Sequence, residues 1–214
     1  MTPVAVASVV AVVGGAHLAA YFSGHRAVAG VLKALPILFL AGDVLGVPDP
    51  VGGRSYAVLI AVGLLFSAVG DVCLVWPERF VPGLASFLVA HLLYVAAFTV
   101  GAGPGGLAWS WIVGLALFTM GFLRFLWPHL GRMRGPVAGY VAVIATMAWA
   151  AARRAGAPGV TEPSGTLALA GALLFLGSDG ILATNRFVVR FASAHAWVML
   201  TYYAAQTLIA LSVR

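Results

Sequence analysis

Long apolar runs, broken at intervals by short polar or Gly/Pro-rich stretches, set the pattern of this chain. Eight runs stand out, near residues 4–22, 27–46, 55–76, 81–100, 106–127, 136–152, 165–184 and 191–213, the sixth being short. A helix needs about 20 mainly apolar residues to cross the hydrocarbon of a bilayer, and a short turn can then return it. The separators carry turn-forming residues: Pro48-Asp49-Pro50-Val51-Gly52-Gly53, Trp76-Pro77-Glu78-Arg79, Gly103-Pro104-Gly105-Gly106, Gly131-Arg132-Met133-Arg134-Gly135-Pro136 and the stretch from Arg153 to Gly165. Continuous runs of this length read as helices, because in hydrocarbon only a helix satisfies its backbone within one segment. The short alternating segments of a barrel are absent from the sequence. The first run lacks a basic leading region and a distinct cleavage site, so it too reads as a helix rather than a signal peptide.

Composition changes this from a pattern into a class. Hydrophobic residues make up 62% of the 214-residue chain and charged residues 8%. A water-facing surface takes roughly 25% charge, so lipid must be the solvent for most of the chain. The expected fold is all-α, a polytopic membrane bundle of about eight transmembrane helices forming one domain over residues 1–214. No loop exceeds about a dozen residues, which leaves no room for a soluble domain. Cys73 is the only cysteine, which excludes a disulfide scaffold. The net charge of +6 does not indicate a nucleic-acid partner, since the bases are scattered between apolar blocks.

Those bases instead suggest an orientation. The first, third, fifth and seventh connections hold Arg26, Arg79, Arg132, Arg134, Arg186 and Arg190, with Lys33 and Arg124 a turn or two inside the same face. The other face has Arg54, Arg153, Arg154 and Arg214, a bias of eight against four. The positive-inside rule then places the odd connections in the cytoplasm and both termini outside, in the cell (inner or plasma) membrane. Trp76, Trp109, Trp111 and Trp127 fall near expected interfaces, and Gly14-Gly15, Gly63 with Ser67, and Gly171 read as points of close helix packing. No inverted repeat is evident, which weakens a transporter reading.

Ionisable groups at membrane depth are costly and face inward, so they carry the functional information. Asp71 and Asp179 each lie five residues before the end of an apolar run that descends to the odd face. At 1.5 Å per residue both carboxylates come to similar depth, roughly 7–8 Å inside that end. Lys33 reaches the same level about two turns into the second run, as do His91 and Tyr94 at i, i+3 on the fourth. Tyr202 and Gln206 align at i, i+4 on the eighth, with His195 near the entrance, and Asn185 follows the seventh. Together they offer groups for proton transfer and for holding a polar headgroup. Asp43 lies at the opposite end, beside the Pro-rich turn. There is no Gly-x-Ser-x-Gly, phosphate loop or His-Glu-x-x-His. A metal site from Asp71, Asp179, His91 and His195 is conceivable by residue type, but no local ligand spacing supports one, and no cofactor is expected.

The stretch Leu64-Leu65-Phe66-Ser67-Ala68-Val69-Gly70-Asp71-Val72-Cys73-Leu74, followed by Phe87-Leu88-Val89-Ala90-His91-Leu92-Leu93-Tyr94-Val95-Ala96-Ala97-Phe98, resembles the YhhN family. Those are membrane proteins that include the animal lysoplasmalogenases. Gly171 to Asp179, Asn185-Arg186-Phe187, Tyr202-Tyr203-Ala204-Ala205-Gln206 and Lys33 are similar to that family's pattern too. One departure is that the proline usually following the lysine directly comes here at Pro36. The resemblance covers nearly the whole chain and implies a membrane hydrolase. Its substrate is then the vinyl ether of a lysoplasmalogen (lysoplasmenyl-ethanolamine or -choline), cleaved to a fatty aldehyde and a glycerophospho-alcohol.

That chemistry needs a proton donor at carbon and an anion or base for the resulting oxocarbenium ion. Two carboxyls in a low-dielectric bundle can divide these tasks, one protonated and one ionised. Glycosidase acid pairs offer an analogy. On this reading Asp71 and Asp179 are the catalytic pair, with either role open to each. Lys33 pairs with a carboxylate or the lipid phosphate, while Ser67, His91, Tyr94, Asn185, Tyr202 and Gln206 position water and headgroup. The competing readings are a non-enzymatic lipid-binding or transport protein, with the carboxylates as a proton-coupling site, and a metal-dependent lipid hydrolase of different substrate.

Overall fold

The computed structural model describes residues 1–100, 102 and 109–214. The Gly103-Pro104-Gly105-Gly106 turn, the first residues of the fifth block and the side chain of Trp109 lie outside the described residues. Eight long helices account for the apolar runs: α1 Pro3–Phe22, α2 Arg26–Leu45, α3 Gly53–Cys73, α4 Phe80–Thr99, α5 Trp109–Leu126, α6 Arg134–Ala155, α7 Ser164–Ala183 and α8 Ala194–Leu211. There is no strand among the described residues. Seven of the helices, α1 to α7, are long and apolar enough to cross a membrane. α8 is comparable in length but carries His195, Tyr202, Tyr203 and Gln206, and half of its circumference is buried.

The helices close into a ring in the order α1, α2, α3, α4, α6, α7, α8 and back to α1, with α8 also touching α2 and α3. α5 stands outside this ring against α6. One apolar core, from Val6 and Ile37 through Leu64 and Phe175 to Ile209, fills the interior. Small residues let the helices approach, as lipid-embedded packing requires. The Tyr94 ring occupies the space a side chain at Gly63 would take. A Cβ at Gly171 would lie 2.9 Å from the Ala205 carbonyl oxygen, and one at Gly14 2.9 Å from the Tyr203 ring. Gly15, by contrast, faces open space.

Three details differ from the sequence reading. α3 ends at Cys73 rather than at residue 76, because Pro77 opens a short 3-10 turn over Pro77–Arg79. α7 does not simply stop but runs on into a π-helical turn, Thr184–Val188. Arg154, read as a surface charge, is fully buried at the even end. Its guanidinium donates to the Val100 carbonyl at 3.1 Å and lies 3.8 Å over the Tyr56 ring. Two of the twelve bases are therefore interior, Arg154 and Lys33, which leaves seven against three in favour of the odd face. At that face Arg79 stacks on exposed Trp76 and Arg134 on exposed Trp127, as interfacial aromatics do. Asp43, at the other end, is held by the Arg214 guanidinium, with the Met1 amine 4.0 Å away.

Candidate active site

α2, α3 and α8 bring the first carboxylate its partners. Asp71 lies two residues before the end of α3 and is 1% exposed. Lys33 Nζ reaches to 3.3 Å from Oδ1, and the Tyr202 hydroxyl donates to Oδ2 at 2.7 Å. A buried charge is tolerable only when paired and hydrogen-bonded, and Asp71 has both. Pro36, one turn after Lys33, has no N–H for the Leu32 carbonyl. The adjacent Lys33 carbonyl is braced by the Tyr203 hydroxyl at 3.1 Å. The same pair of α8 tyrosines therefore fixes the lysine's backbone and its counter-ion.

The second carboxylate has a different setting. Asp179, on α7, accepts a 2.5 Å hydrogen bond at Oδ2 from the Tyr140 hydroxyl of α6. No salt bridge reaches Asp179 among the described residues. It lines a cavity of about 310 Å³ walled by Phe87, Phe118, Phe122, Ile144, Leu176 and Phe187, among others. Asp179 is the only charged residue on the wall among the described residues, and Asp71, Lys33 and Tyr202 are not part of it.

An aromatic layer connects the two sites. Tyr202 meets Phe175 edge to face at 5.4 Å, Phe175 meets His91 at 4.6 Å, and His91 meets Tyr140 at 5.2 Å. The carboxylates terminate this layer, one on each outer phenol. His91 is fully buried at the centre, and neither ring nitrogen has a hydrogen-bond partner among the described residues. One turn on, Tyr94 donates to Gln206 Oε1 at 2.8 Å, and Ser67 is fully buried.

Two residues of the expected set fall elsewhere. Asn185 Oδ1 accepts from the Phe191 backbone N–H at 3.2 Å, so its side chain braces the loop after the π-turn rather than entering the layer. His195 forms a separate cluster, stacking on Tyr21 at 3.6 Å and lying 3.1 Å from His17 across the ring nitrogens. His17 Nδ1 faces the Ala29 carbonyl at 2.8 Å, so Nδ1 carries the proton; Nε2 accepts, and His195 Nε2 donates. The conceivable metal set of Asp71, Asp179, His91 and His195 is split between these clusters. No group of three His, Cys, Asp or Glu side chains suited to a metal occurs among the described residues.

Tyr140, His17 and Tyr21 did not emerge from the sequence. Tyr140 is the single phenol of α6, and its isolation among small apolar residues was a weak available signal. Nothing in spacing could have joined His17 to His195, 178 residues apart.

Known proteins share this arrangement of sequence. The YhhN family profile matches residues 28–213. The lysoplasmalogenase TMEM86B of Homo sapiens is 42% identical over 184 residues, covering 86% of this chain and 74% of the human protein. The lysoplasmalogenase TMEM86A of Bos taurus is 40% identical over 195 residues, covering 86% of this chain and 78% of its own. A lysoplasmalogenase of Mycobacterium tuberculosis (strain CDC 1551 / Oshkosh) is 29% identical over 195 residues, covering 87% and 70% respectively. No solved structure matches the chain. The match spans six full helices, α3 to α8, and most of α2, from the carboxylates to the partners that hold them, and the chain belongs to the YhhN family.

Proposed function

We propose that this protein is a lysoplasmalogenase: a membrane-embedded enzyme that hydrolyses the vinyl ether of a lysophospholipid to a fatty aldehyde and a glycerophospho-alcohol. Its relatives carry that name. The observation that carries the reading here is a lone carboxyl, Asp179, backed by a phenol and facing an otherwise apolar cavity. Such a cavity accepts the alkenyl chain and presents one acid to it.

The two carboxyls divide the work by their neighbours. Asp179, with no cation against it among the described residues, is the proton donor. It protonates the outer carbon of the vinyl ether, leaving an oxocarbenium ion. The Tyr140 hydrogen bond stabilises the carboxylate that remains. Asp71, standing beside the Lys33 ammonium, supplies fixed negative charge across the aromatic layer. Water adds to the oxocarbenium carbon and returns its proton to Asp179. The hemiacetal then expels the glycerophospho-alcohol and leaves the aldehyde. His91, its ring nitrogens without a partner among the described residues, stands at the centre of the layer behind Tyr140, while Ser67, Tyr94, Tyr202 and Gln206 hold the layer in register. The odd connections lie in the cytoplasm, with both ends of the chain on the other side of the cell membrane, and residues 1–214 act as one helical domain.

The test uses purified protein with lysoplasmenyl-ethanolamine and its saturated alkyl-ether and acyl analogues, following fatty aldehyde by mass spectrometry. Aldehyde is expected from the vinyl ether alone. Asp179→Asn and Asp71→Asn should each lower turnover by about a hundredfold or more while the protein stays folded. Near-normal rates in both variants would overturn the pair mechanism. Fatty acid from the acyl analogue would indicate an ester hydrolase, and no product from any of the three would indicate lipid binding or transport.

A further inference from the structure

We propose that Arg186 grips the phosphodiester of the lysolipid headgroup at the mouth of the cavity. The inference rests on reading the Asp179 cavity as the substrate site. The ligand class is then an amphiphile whose cleavable ether is separated from an anionic phosphate by a three-carbon glycerol backbone. A cavity that receives the ether needs a cation at its polar end. Lys33 cannot be that cation: it is buried, 3.3 Å from Asp71, and absent from the cavity wall.

Arg186 is placed for the role by the turn that carries it. It sits on the π-helical turn Thr184–Val188, between the cavity residues Thr184 and Phe187. Single π-turns within helices recur at functional sites, because they re-aim side chains that an α-helix would direct elsewhere. The turn is tied down from beyond by Asn185, which binds the backbone of Phe191, another wall residue. The Arg186 guanidinium lies 4.7 Å over the Phe80 ring, and Phe80 meets Phe187 edge to face at 5.9 Å. Both rings line the cavity, so the cation is seated on the outer side of its apolar rim. That contact seats the guanidinium at the ring, and a guanidinium fork suits the bidentate geometry a phosphate favours. Arg186 is exposed, and no salt bridge engages it among the described residues.

The distances and the local charge agree. Seven residues separate Asp179 from Arg186, about 10 Å along a helix axis, which an arginine side chain and a glycerol backbone together can span. Glu78 is the only acid in the four connections at this end. Two of the other bases there are engaged away from the cavity rings: Arg79 over Trp76, and Arg134 over Trp127 with its Nε bonded to that residue's carbonyl. Arg190, on the same connection as Arg186, provides an internal control.

The experiment compares lysoplasmenyl-ethanolamine with 1-alkenylglycerol, which has the same vinyl ether and no phosphate, in mixed micelles. Arg186→Gln is expected to raise KM for the phospholipid at least about tenfold, the loss of a charge-assisted contact, with kcat little changed. KM for alkenylglycerol should move less than about twofold, Arg186→Lys should fall between, and Arg190→Gln should resemble the parent. An unchanged phospholipid KM, or an equal change with both substrates, overturns the proposal. The latter is what an arginine anchoring the bundle to bulk headgroups would give. If the parent protein releases aldehyde from neither substrate, the hydrolase reading fails on its own. Binding of the saturated alkyl-ether lysophospholipid against alkylglycerol then decides: a tenfold weaker phospholipid affinity in Arg186→Gln supports the headgroup site, and equal affinity overturns it.

Discussion

Asp71 and Asp179 look alike in the sequence, each an acid near the end of an apolar helix, and their surroundings make them different. One is closed off by Lys33 and Tyr202; the other opens on the cavity with the Tyr140 hydroxyl against it. Tyr140→Phe isolates that hydroxyl. The ring remains to pack on His91 at 5.2 Å, while the 2.5 Å bond is lost. We expect kcat on lysoplasmenyl-ethanolamine to fall about 10- to 100-fold with thermal stability retained; an unchanged kcat would remove Tyr140 from the mechanism. The carboxylates were legible because lipid makes charge rare, so each acid at depth stands out. The phenol that completes the site was not, since a tyrosine in a membrane helix is common and nothing local to residue 140 reveals what it faces. Asn185 shows the opposite limit: its position beside the site was legible, but its service to the loop was decided by the π-turn.

At the scale of elements, hydropathy alone located the eight helices to within a few residues, the start of the fifth lying outside the described residues, because length and apolar content are the conditions for crossing a bilayer. It could not give the order of the ring, in which α4 packs on α6 and α5 is left outside. Neighbours are chosen by small residues and shape rather than by hydropathy. Gly63 and Gly15 test that distinction, both lying inside apolar helices. Gly63→Ala puts a methyl into the space of the Tyr94 ring, whose hydroxyl holds Gln206, and should cost about 1–3 kcal/mol of stability. Gly15→Ala points into open space and should be neutral or stabilising by up to about 1 kcal/mol. Unfolding midpoints in one detergent compare the two. Equal effects would mean that the α3–α4 contact is not close-packed. The π-turn after α7 was beyond sequence reading, because it follows from how the chain leaves the bundle.

For the whole molecule, two interior bases drop out of the charge balance, and the rim at the odd end remains the more basic one. In a Cys73→Ser background, a membrane-impermeant maleimide should label Asp49→Cys on intact cells and Arg132→Cys only after lysis. Both positions are exposed, on connections at opposite ends. The reverse pattern would invert the topology. Whichever way the bundle points, the position of the acids has an electrical meaning. Asp71 is two residues from the end of α3, and Asp179 nine from the end of the π-turn that continues α7, about 3 and 14 Å along their helices. In hydrocarbon about 30 Å thick, a proton reaching either acid from that end crosses at most about half of the transmembrane voltage. At 100 mV this is worth about 1 kcal/mol. Water's proton returns to Asp179 when the ether is cleaved, so a full turnover moves no net charge through the field. Polarised and depolarised membranes should therefore sustain the same chemistry, a independence that no voltage-driven carrier built on these carboxylates would share.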